Sequence, residues 1–196
     1  MLLKFERFAS ILLAISLASC GLPSQAQITD ITGVMPALAF HLTRANDNAA
    51  VSPDSYRGKV VILYFGYTHC PDECPTTLAN LASMLKRLGP QANGTRVLFV
   101  SVDPARDTSP ILKSYVQAFA PQIDGLRGSD DAVAALARRY RVIYSVTPDS
   151  AGQPYTVIHS ASVFVFDRNG RARYVTMSTD HTEEIAVLLE KLLAAN

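Results

Sequence analysis

Apolar and polar positions along this chain repeat at two different periods, and each change of period marks an element. Val60-Val61-Ile62-Leu63-Tyr64-Phe65 has no polar interruption, the pattern of a strand covered on both faces in a parallel or mixed sheet. Helical spacing follows, with Leu78, Leu81, Leu85 and Leu88 on one face. Proline is tolerated at the first helical position but not in an interior. The helix is therefore expected to begin at Pro75, with Cys74 beside its N-terminus. It should stop at Gly89-Pro90, after Lys86-Arg87.

The same reading carries to the C-terminus. Arg96–Val102 is a second buried strand ending at Asp103-Pro104, and Thr108–Phe119 a helix with Ile111, Leu112, Tyr115, Val116 and Phe119 as its stripe. Ser129 can cap a third helix to Tyr140, with Val133, Leu136 and Ala137 inward. Val142–Val146 reads as a short strand, and residues 147–156 as a loop. Ser162–Phe166 is a third core strand, which Asp167-Arg168-Asn169-Gly170 turns into Ala172–Met177. Asp180 with Glu183 resembles a capping box for a last helix, whose Ile185, Leu188, Leu189 and Leu192 face inward. Upstream, Ala37–Leu42 alternates weakly and Asn46-Asp47-Asn48 signals a turn, so a short hairpin is expected ahead of the core. Strands alternating with helices argue for an α/β fold, a central mixed sheet flanked by helices. Two cysteines at the first core strand-to-helix junction make it thioredoxin-like.

Composition narrows the class. A chain of 196 residues, 48% hydrophobic, suits one compact domain with appendages and needs no disulfide to hold its core. Formal net charge is +1. No basic run or aromatic-interleaved patch is present, so nucleic acid is not an expected partner.

The first residues read as targeting information. Lys4 and Arg7 precede a short apolar run, Phe8–Ala18, well under the ~20 residues of a membrane-spanning helix. Leu17-Ala18-Ser19-Cys20 resembles a bacterial lipobox. The expected organisation is a lipoprotein signal peptide over residues 1–19, a tether over 20–33 and a folded domain over 34–196. Cys20 is then the lipidated residue, and the protein an extracytoplasmic one held at a membrane by lipid, facing the periplasm or cell exterior. In such a compartment a thiol pair needs a reason to exist.

Two thiols remain, Cys70 and Cys74. Their C-x-x-x-C spacing admits a structural disulfide, a redox pair or a metal site. A disulfide would close a loop too small to stabilise the chain much. Helix N-termini push thiols towards the reactive thiolate, which suits a redox pair. Redox motifs of thioredoxin-like proteins, however, have one residue fewer between the cysteines. Asp72 and Glu73 oppose thiolate formation but favour a bound cation, and paired thiolates suit soft ions such as Cu(I) or Zn(II). His159, just before the third core strand, is the candidate third ligand. His41 reads as an ordinary strand or loop residue, the His69 side chain should diverge from that of its neighbour Cys70, and His181, in the first turn of the last helix, has no visible partner.

Tyr64-Phe65-Gly66-Tyr67-Thr68-His69-Cys70-Pro71-Asp72-Glu73-Cys74-Pro75-Thr76-Thr77 resembles the signature of the Sco/SenC family of copper-binding proteins. Ser101-Val102-Asp103-Pro104-Ala105-Arg106-Asp107-Thr108 and His159-Ser160-Ala161-Ser162-Val163-Phe164 are similar to that family's other two blocks, in the same order. The resemblance implies a thioredoxin-like fold and a copper site made by Cys70, Cys74 and His159. It implies a role in assembling the dinuclear copper centre of cytochrome c oxidase, whose copper-accepting subunit would be a partner, with another copper chaperone or a thiol reductase as further partners. Asp103 would support the ligands or contact the partner. Many family members have a membrane-spanning N-terminal anchor, where this chain has the lipobox. The competing function is that of a thiol–disulfide oxidoreductase using Cys70 and Cys74 without His159.

Overall fold

The computed structural model describes residues 28–147 and 156–195. A mixed eight-stranded sheet runs through the centre in the order β1 (Thr29–Asp30), β10 (Ala172–Thr176), β9 (Val163–Phe166), β4 (Val60–Gly66), β5 (Thr95–Ser101), β6 (Ile123–Arg127), β2 (Leu42–Arg44), β3 (Ala49–Val51). β4, β5 and β6 are parallel, whereas β9 runs antiparallel to β4 and β10 antiparallel to β9. A separate two-stranded ribbon pairs β7 (Tyr144–Thr147) with β8 (Thr156–His159). The helices are α1 (Glu73–Leu88), α2 (Ser109–Gln117), α3 (Asp130–Arg139) and α4 (Thr182–Ala194).

Two right-handed crossovers put α1 and α2 on the same face, because β4, β5 and β6 follow one another across the sheet. α4 packs beside α1 on that face. α3 covers the other, where the adjoining Tyr140 ring stacks against Phe164 and Phe166. β4 is thereby buried at all seven positions, which is why its sequence shows no alternation. The architecture is the thioredoxin-like α/β fold expected from the pattern, and the N-terminal hairpin is present as β2–β3, although its first strand begins at Leu42 and not at Ala37.

Several elements depart from expectation, each for a local reason. β6 was not predicted. Asp124 and Gly125 interrupt its apolar pattern, yet Asp124 is held by the Tyr56 hydroxyl at 3.0 Å. Gly125 is required by close approach, since a Cβ there would stand 2.6 Å from Leu112 Cγ. β1 falls inside the stretch read as tether, because Thr29 and Asp30 add a strand beside Val175 and Tyr174. Ile111 is 44% exposed and not part of the α2 stripe, which Leu112 and Val116 carry. The Asp180–Glu183 capping box does not form. His181 is the N-cap of α4, and Asp180 instead accepts from Ser178 Oγ at 2.8 Å.

Candidate metal centre

The thiols are delivered by the junction of β4 and α1. The helix begins at Glu73 and not at Pro75, so Cys74 lies inside its first turn and Pro75 is its third residue. Proline is accommodated there because the first N–H groups of a helix have no intrahelical acceptor. The first such bond runs from Thr76 N–H to the Asp72 carbonyl, at 3.1 Å. The Asp72 side chain makes no capping bond. Instead Cys74 N–H donates to Cys70 Sγ at 3.4 Å, so one cysteine of the pair caps the turn that carries the other.

The two thiols differ sharply in exposure. Cys70 is half-buried and Cys74 fully buried, and both are free. Gly66 makes the buried seat. Its φ lies outside the left-handed region, so the backbone does not demand glycine. A Cβ at that position would stand 2.7 Å from Cys74 Sγ and 2.6 Å from the Phe99 ring.

His159 comes from the end of β8, 85 residues from Cys74 in sequence. Its Nε2 stands 3.2 Å from Cys74 Sγ. Nδ1 lies 3.2 Å from the Ser160 carbonyl, which can only accept, so the proton sits on Nδ1 and the Nε2 lone pair faces the sulfur. The ring is held edge-on by Tyr67 and Tyr64, each at a centroid distance of 6.0 Å. Burial lowers the His159 pKa, with Glu73 acting in the opposite sense. Burial likewise pushes the Cys74 thiol up to about 12, outweighing the pull towards thiolate expected at a helix N-terminus. Before any metal binds, Cys74 is therefore a thiol and His159 a neutral imidazole.

The ligand-type atoms of Cys70, Cys74 and His159 all lie within 4.8 Å of one another. With a metal–sulfur bond of about 2.3 Å, a trigonal ion holds its ligand atoms ~4 Å apart. Two thiols and an imidazole therefore converge closely enough to share one soft cation, with Cys74 Sγ and His159 Nε2, 3.2 Å apart without it, parting slightly to admit it.

A second group, His69, Asp103 and Asp107, is equally compact, but its acceptors are already used. Asp107 is completely buried. Its carboxylate takes the Thr68 hydroxyl at 2.6 Å, the Thr68 N–H at 3.1 Å and the Ser101 hydroxyl at 2.6 Å. It fastens the loop that leads to Cys70 onto the end of β5. Asp103 is buried and pairs with Arg106, whose guanidinium lies 5.7 Å above the Tyr67 ring. Asp103 is thus linked towards the imidazole through Arg106 and Tyr67. Sequence reasoning singled out Asp103 and gave Asp107 no role. The available signal was a carboxylate directly ahead of a helix cap, four residues after the strand-end aspartate. His41 and His181 lie away from the thiols, with His181 3.8 Å from Glu184. Cys20 lies outside the described residues.

The family model for SCO1/SenC matches residues 35–194. The chain belongs to the SCO1/SenC family. Among the family's curated members, the bovine mitochondrial SCO2 homologue is 40% identical over 134 residues, covering 64% of this chain and 50% of that protein. The chain spans about half the length of the mammalian relatives it matches. Copper-bound ScoI of Bradyrhizobium japonicum superposes with a TM-score of 0.72 at 36% identity, covering 80% of this chain and 98% of that one. Copper-bound yeast Sco1 gives 0.68 at 32% identity, covering 79% and 90%.

Proposed function

We propose that the chain is a copper metallochaperone that carries copper on Cys70, Cys74 and His159 and helps to assemble the dinuclear copper centre of cytochrome c oxidase. The observation that carries the reading is the convergence of two sulfurs and one Nε2 within 4.8 Å, in a family whose solved members include copper-bound proteins. Copper is cargo here. Loading displaces the Cys74 proton, and the cation then offsets the cost of a buried thiolate. Cys70, the less buried of the two thiols, is the ligand a recipient can reach first, so transfer proceeds by stepwise exchange of ligands through that sulfur. In this reading residues 1–19 are removed, Cys20 bears the lipid, and the domain works at an extracytoplasmic membrane surface.

A second reading rests on the unequal exposure of the thiols: an accessible Cys70 to attack a target disulfide and a buried Cys74 to resolve it. The dithiol would be oxidised and the target reduced. His159→Ala, assayed for copper retention against a competing chelator and for reduction of a disulfide peptide, separates the two. Loss of copper with unchanged peptide reduction supports the metal site and leaves a separable thiol activity. Unchanged copper retention would remove His159 from the site, and wild-type retention by Cys74→Ala would overturn the site itself.

A further inference from the structure

The two ends of the sheet are not equivalent. β4 and β10 run in the same direction, because each pairs antiparallel with β9. Their carboxyl ends, Gly66 and Thr176, lie at one end of the domain, the end that carries Cys70, Cys74 and His159. β1 runs against β10, with Thr29 opposite Val175 and Asp30 opposite Tyr174. The described chain therefore enters at the metal-centre end, and Ile28 lines a small apolar cavity with Val163, Thr176 and Ile185. The other terminus finishes elsewhere. Leu193 stands against Gly94, directly before the first residue of β5, at the opposite end.

Cys20 precedes Ile28 by eight residues. Fully extended, eight residues reach at most about 29 Å. Seven-residue β4 is itself ~23 Å long, so turning the far end towards the lipid would use most of that reach. The end where the chain enters also exposes apolar side chains. Ile158, next to His159, is 64% exposed, and Met177, just past β10, is 57% exposed.

We infer that the domain is moored by the same end that carries the thiols, so that its metal centre faces the membrane surface. The partner it fits is a metal-accepting site held close to the outer face of the same bilayer. This rests on the reading of Cys20 as the lipidated residue.

The chain has no tryptophan, so a single one reports position. Met177→Trp places it at the mooring end, and Asn169→Trp at the exposed β9–β10 turn of the opposite end. Both full-length proteins, processed and lipidated, are reconstituted on phosphatidylcholine vesicles containing dansyl-labelled headgroups. The positions are separated by at least the length of β10, ~16 Å, so energy transfer from M177W is expected to exceed that from N169W by roughly twofold or more. Equal transfer, or greater transfer from N169W, overturns the orientation. Vesicle flotation and the mass of the N-terminal peptide are read on the same samples. A protein that fails to float or lacks acyl groups overturns the anchor and the mooring with it, whereas a floating, acylated protein with the reverse order overturns the orientation alone.

Discussion

The two sides of the candidate metal centre are built differently. The thiol side grows out of the most deeply buried strand of the molecule, passes through a loop fastened by Asp107, and ends in the first turn of a sixteen-residue helix. The imidazole side hangs from a two-stranded ribbon outside the main sheet, and its ring is steadied by tyrosine edges and the Ser160 carbonyl. Damage to the thiol side should therefore reach the fold and the metal together. Damage to the imidazole side should reach the metal while sparing the fold.

Asp107→Ala is the severest way to break that contrast. It strips three donors of a buried charged acceptor, and a hydrogen bond to a charged group contributes about 1.5–3 kcal/mol. Urea unfolding should register a loss of about 3 kcal/mol or more, and copper retention should fall in step. Gly66→Ala comes next, because the added methyl must displace Cys74 Sγ or the Phe99 ring, and overpacking of this kind costs about 1–3 kcal/mol. Lowered copper affinity with a modest fall in Tm is expected, and an unchanged affinity would mean that Cys74 has a second place to go.

The pH dependence sharpens the electrostatic half. The Cys74 proton, held by burial up to a pKa of about 12, must leave when copper enters. Apparent copper affinity should thus rise with pH from 6 to 8, by about tenfold per pH unit for each proton released. A flat profile in a chelator competition would remove Cys74 as a thiolate ligand. His159→Ala completes the contrast from the other side. Its unfolding free energy should stay within ~1 kcal/mol of the parent, although its copper is lost. Smallest of all, Ile111→Ser should shift stability by no more than ~0.5 kcal/mol, because that side chain already faces water.

How much of this was legible in the sequence follows from the same contrast. The Cys70–Cys74 segment announces itself because all its determinants are contiguous: a six-residue apolar run, then two thiols, then four leucines at helical spacing. What failed there was the start of α1. Pro75 points to the first helical position, whereas any of the first-turn positions spares it a hydrogen bond. His159 could be nominated from its position before β9, but no periodicity brings β8 to the thiols. That contact depends on the antiparallel pairing of β9 with β4, which sets Val163 opposite Tyr64 and so brings the preceding residues to the thiol end. β6 stayed hidden because its polar residue is neutralised by Tyr56 and its glycine by Leu112, partners 68 and 13 residues away. Asp107 was overlooked for the same reason, since its value lies in Thr68 and Ser101 and not in its neighbours.

The flanks of the sheet carry a consequence of their own. Eight strands end in a two-residue β1 on one side and a three-residue β3 on the other. Edges that short offer too few unpaired amides to template a further strand. Among the described residues the sheet therefore has no long free edge on which a second copy could extend it.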